Sequence, residues 1–103
     1  MLGIQHLLRE MVAKKGSGLH IAAGSPPRIR LGGRLTPMEH PVLSAEETEE
    51  VIYGLLSKQE IERFERDWEL DTFLSVNGLG RFRVSIFRQR GAVGAVFRLV
   101  SLT

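Results

Sequence analysis

The sequence predicts an α+β fold, an antiparallel sheet with helices packed on it, and three features point there. Two successive helical segments carry the same serine and glutamate start signal, a period-two alternation fills the C-terminal third, and short apolar runs punctuated by glycine and proline lie nearer the N-terminus. At 103 residues, 43% of them hydrophobic, the chain suits one domain over 1–103 with no linker and no internal repeat.

Ile4, Leu7, Leu8, Met11 and Val12 recur at helical spacing and predict a helix over about residues 3–15, ended by Gly16 and Gly18. Residues 19–23 and 28–31 predict short strands around Gly24-Ser25-Pro26-Pro27, where the prolines cannot donate to a ladder and the glycine permits the bend. Gly32-Gly33 then turns the chain into a third strand over 34–38. Ser44 followed by Glu47 is a capping-box pattern, and Val51, Ile52, Leu55 and Leu56 form the inward stripe of a helix over about 45–56. Ser57 and Glu60 repeat the pattern for a helix with Ile61, Phe64 and Trp68 inward and Glu62, Glu65, Arg66 and Asp67 outward.

From Leu70 the period becomes two. Leu70, Thr72, Leu74 and Val76 alternate with Asp71, Phe73 and Ser75; after the turn-rich Asn77-Gly78-Leu79-Gly80, Phe82, Val84 and Ile86 alternate with Arg81, Arg83, Ser85 and Phe87. An odd-numbered loop puts both aliphatic sets on the core face and Asp71, Phe73, Ser75, Arg81, Arg83 and Phe87 on the other. An even one would bury arginine beside Leu74 and Val76 at several kcal/mol per unpaired ion, so the odd register is expected. Gly91 to Gly94 predicts a turn, and residues 95–100 a last strand interrupted by Arg98.

The formal net charge is only +2, but its distribution is uneven. Residues 1–38 hold six bases and one acid, residues 39–71 three bases and eleven acids, and residues 72–103 five arginines and no acid. Two faces of opposite sign are implied, fit for an anion or an acidic partner, although the glutamates also read simply as solvated helix faces. The chain has no cysteine, which excludes disulfide scaffolds and thiolate-ligated zinc, and its apolar runs fall far short of the roughly 20 residues that cross a bilayer. With no signal-like opening either, a cytoplasmic location is expected.

A nucleotide-hydrolysing phosphate loop needs a Gly-Lys pair, and Lys14, Lys15 and Lys58 follow Ala13, Lys14 and Ser57, so this chain is not expected to turn over nucleotide alone. His6, His20 and His40 are too far apart for a helix-based ligand pair, and no metal site is expected. His20, on a short apolar strand, reads as a hydrogen-bonded structural histidine. Glu69 and Asp71 could form a carboxylate dyad, but pairing with nearby arginine is the simpler reading. The remaining signal is Arg81, Arg83, Arg88, Arg90 and Arg98, a lysine-free cluster. Planar guanidinium grips phosphate through paired hydrogen bonds, yet arginine also lies along exposed sheet faces, and with Phe73 and Phe87 the cluster could serve as a nucleic-acid platform. The low net charge and the acidic helices weigh against that last reading.

The segment GLGRFRVSIFRQRGAVGAVFRLV, residues 78–100, resembles the end of the N-terminal domain of the type IV pilus retraction ATPases, the PilT family of secretion ATPases. The resemblance extends through LHIAAGSPPRIRLGGRL at 19–35 and ELDTF at 69–73, and so over nearly the whole chain. It implies a PAS-like domain preceding a RecA-like ATPase domain that lies outside this chain, and a homohexamer in which each N-terminal domain packs on the ATPase domain of the same and of a neighbouring subunit. It further implies ATP and magnesium in the parent protein, no cofactor in the isolated domain, inner-membrane pilus machinery as partner, and no nucleic acid.

In that family, arginines of this domain help hold nucleotide phosphates. Position by position, the resemblance singles out Arg81 and Arg83 in GRFRV and Arg98 in VFRLV, with Arg88 and Arg90 behind them, as phosphate or interface contacts. The Gln-Arg-Gly segment at 89–91 favours the retraction branch over pilus assembly or type II secretion. A free-standing PAS-like module for a small ligand or nucleic acid is the alternative of another class. One departure stands out: where the family commonly has aspartate before the Leu-His pair, this sequence has Gly18.

Overall fold

Residues 3–102 are described by the structure, a computed structural model. Helix α1 spans Ile4–Ala13 and buries Ile4, Leu7, Leu8 and Met11 as its spacing predicts. Strands β1 (Gly18–Ile21), β2 (Arg28–Leu31) and β3 (Arg34–Pro37) follow, then helices α2 (Ala45–Tyr53) and α3 (Lys58–Asp67). Strands β4 (Glu69–Val76), β5 (Gly80–Gln89) and β6 (Ala92–Leu102) complete the chain. All six strands join one sheet of order β3-β2-β1-β6-β5-β4, antiparallel at every pairing, so two meanders meet where β1 pairs with β6. The α+β architecture is the expected one.

One face of the sheet carries Leu19, Ile21, Ile29, Leu70, Val84, Ile86, Ala95 and Phe97, all buried, and these merge with Leu7, Leu8, Met11, Ile52 and Phe64 of the helices into a single core. The helices therefore cover that face, and the opposite face is left open. The odd register holds: the loop of residues 77–79 places Leu70 opposite Ile86, Thr72 opposite Val84 and Leu74 opposite Phe82, while Phe73 faces Arg83 and Ser75 faces Arg81.

Four details differ from the sequence reading. Helix α2 ends at Tyr53, because Gly54 caps it and the backbone tightens through Leu56. Trp68 does not point inward: it caps α3 in the left-handed conformation, φ 62°, and is 63% exposed, since the chain must reverse there to enter β4. The last hairpin turns on Arg90 and Gly91 alone, with φ 53° and 78°, the pattern of a two-residue turn whose twist matches its strands. Gly94 consequently lies inside β6 opposite Phe87, whose ring occupies the space a Cβ there would need. β6 runs unbroken through Arg98; its irregularity comes later, where Arg81 pairs with Ser101 and Phe82 with Leu99, leaving Val100 as the extra residue of a bulge.

Candidate functional site

Strand alternation decides where each arginine goes. In β5 the buried residues Phe82, Val84 and Ile86 send Arg81 and Arg83 to the open face, and in β6 the buried Phe97 does the same for Arg98. Arg83 and Arg98 are direct cross-strand partners, so two cations stand side by side on adjacent strands. The row continues through Gly18 of β1 to Arg30 of β2, and the next row runs Asp71, Ser85, Val96, His20, Arg28. Arg28 and Arg30 thus join the cluster. Their strand alternates around the buried Ile29, and that alternation was the sequence signal for them.

The other two arginines go elsewhere. Arg88 has the parity of Ile86 and Val84 and turns to the helix side, where its guanidinium carbon lies 5.7 Å from the ring centroids of both Phe64 and Trp68. Its Nε is buried without a hydrogen-bond partner. Arg90 sits in the β5–β6 turn and, with Arg28, Gln89 and Gly94, lines an open cleft of about 610 Å³ at the end of the sheet. The cluster of five is therefore split into Arg81, Arg83 and Arg98 on the open face, one residue beneath the helices and one at the sheet's end.

Electrostatics on the open face are one-sided. Arg81 stacks its guanidinium 4.5 Å from the Phe73 ring centroid, while Phe73 is itself 55% exposed. Neither Arg83 nor Arg98 takes a hydrogen bond or ion pair among the described residues. Asp71 does not pair with arginine: its Oδ1 accepts a 2.8 Å hydrogen bond from Ser85 Oγ. Glu69 shares that face, opposite Phe87, and takes no ion pair among the described residues, so the two carboxylates make no shared site. His20 is half-buried with no side-chain hydrogen bond among the described residues, unlike the bonded histidine expected. Burial first, then Arg30, Arg98 and Arg28, hold its pKa below the ordinary histidine value, which keeps the ring neutral at pH 7. No group of three or more histidine, aspartate or glutamate side chains converges among the described residues, and no helix of those residues is long and apolar enough to cross a membrane.

Adjacent guanidinium groups without partners, as at Arg83 and Arg98, can grip phosphate or carboxylate presented by another surface. No family model matches the chain. Curated relatives do, among them the type IV pilus ATPase PilU of Pseudomonas aeruginosa, 43% identical over 96 residues, covering 93% of this chain and 25% of the relative. The type IV pilus retraction ATPase PilT of the same organism is 34% identical over 99 residues, covering 96% and 29%. A crystal structure of the pilus retraction motor PilT with bound ADP superposes with a TM-score of 0.91 at 31% identity, covering 98% of this chain and 30% of that one. The ATPase DotB of Legionella pneumophila, at 19% identity and a TM-score of 0.81, shares the fold. The chain thus spans between a quarter and a third of the length of these relatives. By sequence and by fold, it belongs to the PilT family of type IV pilus ATPases and corresponds to their N-terminal domain.

Proposed function

We propose that this chain is the N-terminal domain of a pilus-retraction motor, silent as an enzyme by itself and completed by a RecA-like ATPase domain outside these residues. In the assembled homohexamer the open sheet face meets the ATPase domain of the same or a neighbouring subunit, and Arg81, Arg83 and Arg98 reach the nucleotide phosphates or pair across that junction. ATP and magnesium belong to the ATPase domain, and the motor works in the cytoplasm against the inner-membrane pilus machinery.

The observation that carries this reading is the Arg83 and Arg98 pair, adjacent in register, exposed and without a carboxylate of its own. Holding two like charges side by side costs free energy in the isolated domain, which an anionic partner returns. Arg88 fits the role poorly, because its guanidinium is committed to the rings beneath the helices. An arginine beside developing phosphate charge can lower a hydrolytic barrier by several kcal/mol.

The test is Arg83→Ala in the complete motor. It should fold and assemble as wild type, since Arg83 is exposed and unbonded, yet lose most ATPase activity, by about 10²-fold or more. Wild-type turnover by an assembled variant would remove Arg83 from the phosphate site.

A further inference from the structure

We infer that the cleft at the end of the sheet takes a short acidic segment of a partner protein in extended form. The segment adds to β6 beyond the point where β1 leaves it and sets an aspartate or glutamate between Arg28 and Arg90. This site stands apart from the phosphate reading of Arg81, Arg83 and Arg98 and shares no residue with it.

The cleft is a strand position left open. β1 pairs with β6 only as far as Ile21 opposite Ala95, whereas β6 runs on against β5 to Ala92 opposite Gln89. Beyond Ile21 the chain is drawn aside: the Gly24 amide donates to the Leu43 carbonyl at 2.8 Å, and the Leu43 amide to the Ser25 carbonyl at 3.0 Å. On β6 the Leu99 amide donates to the Ser17 carbonyl, so the two-residue period of an antiparallel ladder turns the backbone groups of Leu99, Phe97, Ala95 and then Val93 toward β1. Val93 finds no backbone partner there among the described residues. Its N–H and C=O border the cleft, an edge on which one more extended residue can pair as Ile21 does on Ala95. About 610 Å³ of space is kept clear by the small side chains of Ala22, Ala23, Ala45 and Ala92, room for a few residues of peptide.

Charge selects the segment. Arg28, Gln89 and Arg90 line the cleft, no carboxylate does among the described residues, and neither arginine takes a hydrogen bond or ion pair among those residues. Glu46 and Glu49 line a separate hollow, with Arg88 on the helix side. Arg90 is also a costly choice for its place: at φ 53° it opens a two-residue turn where asparagine or glycine fits with less strain. The turn gives no reason for a long cation there, and the cleft does.

Strand alternation then places the acid. A peptide residue opposite Val93 turns its side chain to the helix side, as the buried Val93 does. Its neighbour faces the open side, where Arg28 projects from β2, and an acidic residue at that neighbour is offered guanidinium donors by Arg28 and Arg90. A smaller hollow of about 180 Å³ shares Ala22, Arg28 and Gln89 with the cleft and adds Phe87, Leu35 and His20, which gives apolar contact to a residue further along the segment.

The test is a titration of the nitrogen-15 labelled chain with the blocked tetrapeptide acetyl-Ser-Ala-Asp-Ser-amide, run beside its asparagine counterpart and inorganic phosphate. The aspartate peptide should give saturable shifts centred on Val93, Ala22 and Ala23, and the asparagine peptide should bind at least about threefold more weakly. Arg90→Asn suits the turn better than arginine and leaves the fold secure, yet it should weaken the aspartate peptide by at least about threefold, and Arg28→Gln should do the same. Shifts that are absent, that are equal for the two peptides, or that survive both substitutions overturn the inference. So does phosphate that binds at these residues while the aspartate peptide does not, which would make the cleft a simple anion site. None of these outcomes depends on ATPase activity, so the Arg83 test of the phosphate site stands or falls separately.

Discussion

Arg88 shows how one position of strand parity changes what a cationic residue can do. Its stem packs beneath α3, its charge faces two aromatic rings at 5.7 Å, and its buried Nε has no acceptor. Cation–π contact in such a place contributes about 0.5–2 kcal/mol, while an unsatisfied buried donor costs about 1–3 kcal/mol, so the two nearly cancel. Arg88→Met keeps the stem and removes the orphan donor. Its unfolding free energy should equal wild type or exceed it by up to about 1 kcal/mol in a denaturant titration. A clear loss would mean the guanidinium itself holds α3 down. The position was legible in part: Arg88 shares the period of Phe82, Val84 and Ile86, but the same five letters read as a single cluster until the fold assigned sides.

At the scale of elements, the serine starts are the most local features of the chain and were the plainest to read. Ser44 Oγ accepts from the Glu47 amide at 3.1 Å while the Ser44 amide donates to Glu47 Oε1 at 2.9 Å, and Ser57 with Glu60 repeats both bonds at the same lengths. Tertiary structure adds a third bond to the second box, because Thr72 Oγ1 of β4 donates to Glu60 Oε2 at 2.8 Å and ties α3 to the sheet. The Ser57 amide first, then the Thr72 hydroxyl, hold the Glu60 carboxyl below its ordinary pKa. A carboxyl lowered in the folded state stabilises the fold above its unfolded pKa, and that contribution is lost as pH falls through the folded value. Wild type should therefore melt above Glu60→Gln at pH 7, and the gap should shrink below about pH 4.5 and close in stronger acid. A gap independent of pH would show that the carboxylate charge plays no part. Ser57→Ala, which deletes the cap itself, should cost about 1 kcal/mol at neutral pH.

For the whole molecule, the decisive feature is an uneven spread of charge, with bases outnumbering acids on the open sheet face and acids outnumbering bases on α2 and α3. Arg28, Arg30, Arg81, Arg83 and Arg98 lie on the open sheet face, while Glu46, Glu47, Glu49, Glu50, Glu62 and Glu65 line the exposed surfaces of the helices behind it. Such a face suits one docked acidic or phosphate-bearing surface better than a long polyanion, which would pass the acidic edges as well. Phe73, the exposed ring best placed to stack a base, already carries the Arg81 guanidinium. Labelled single-stranded DNA should accordingly show no saturable binding below about 100 µM at physiological salt. Tight binding that falls steeply with added salt would instead favour a nucleic-acid module over the motor domain.

Sequence alone settled what depends on neighbours a few residues apart: the serine starts of α2 and α3, the apolar stripe of α1, and the odd register of β4 on β5, which follows once burying Arg81 or Arg83 is recognised as too costly. Only the tertiary structure decided which distant strands became neighbours. The pairing of β1 with β6 brings Gly18 between Arg30 and Arg98, residues 12 and 80 positions away, and no local period encodes that meeting. It is set by the shared core beneath, where Leu19 and Phe97 must be buried together, and the charged residues above them are placed as a consequence.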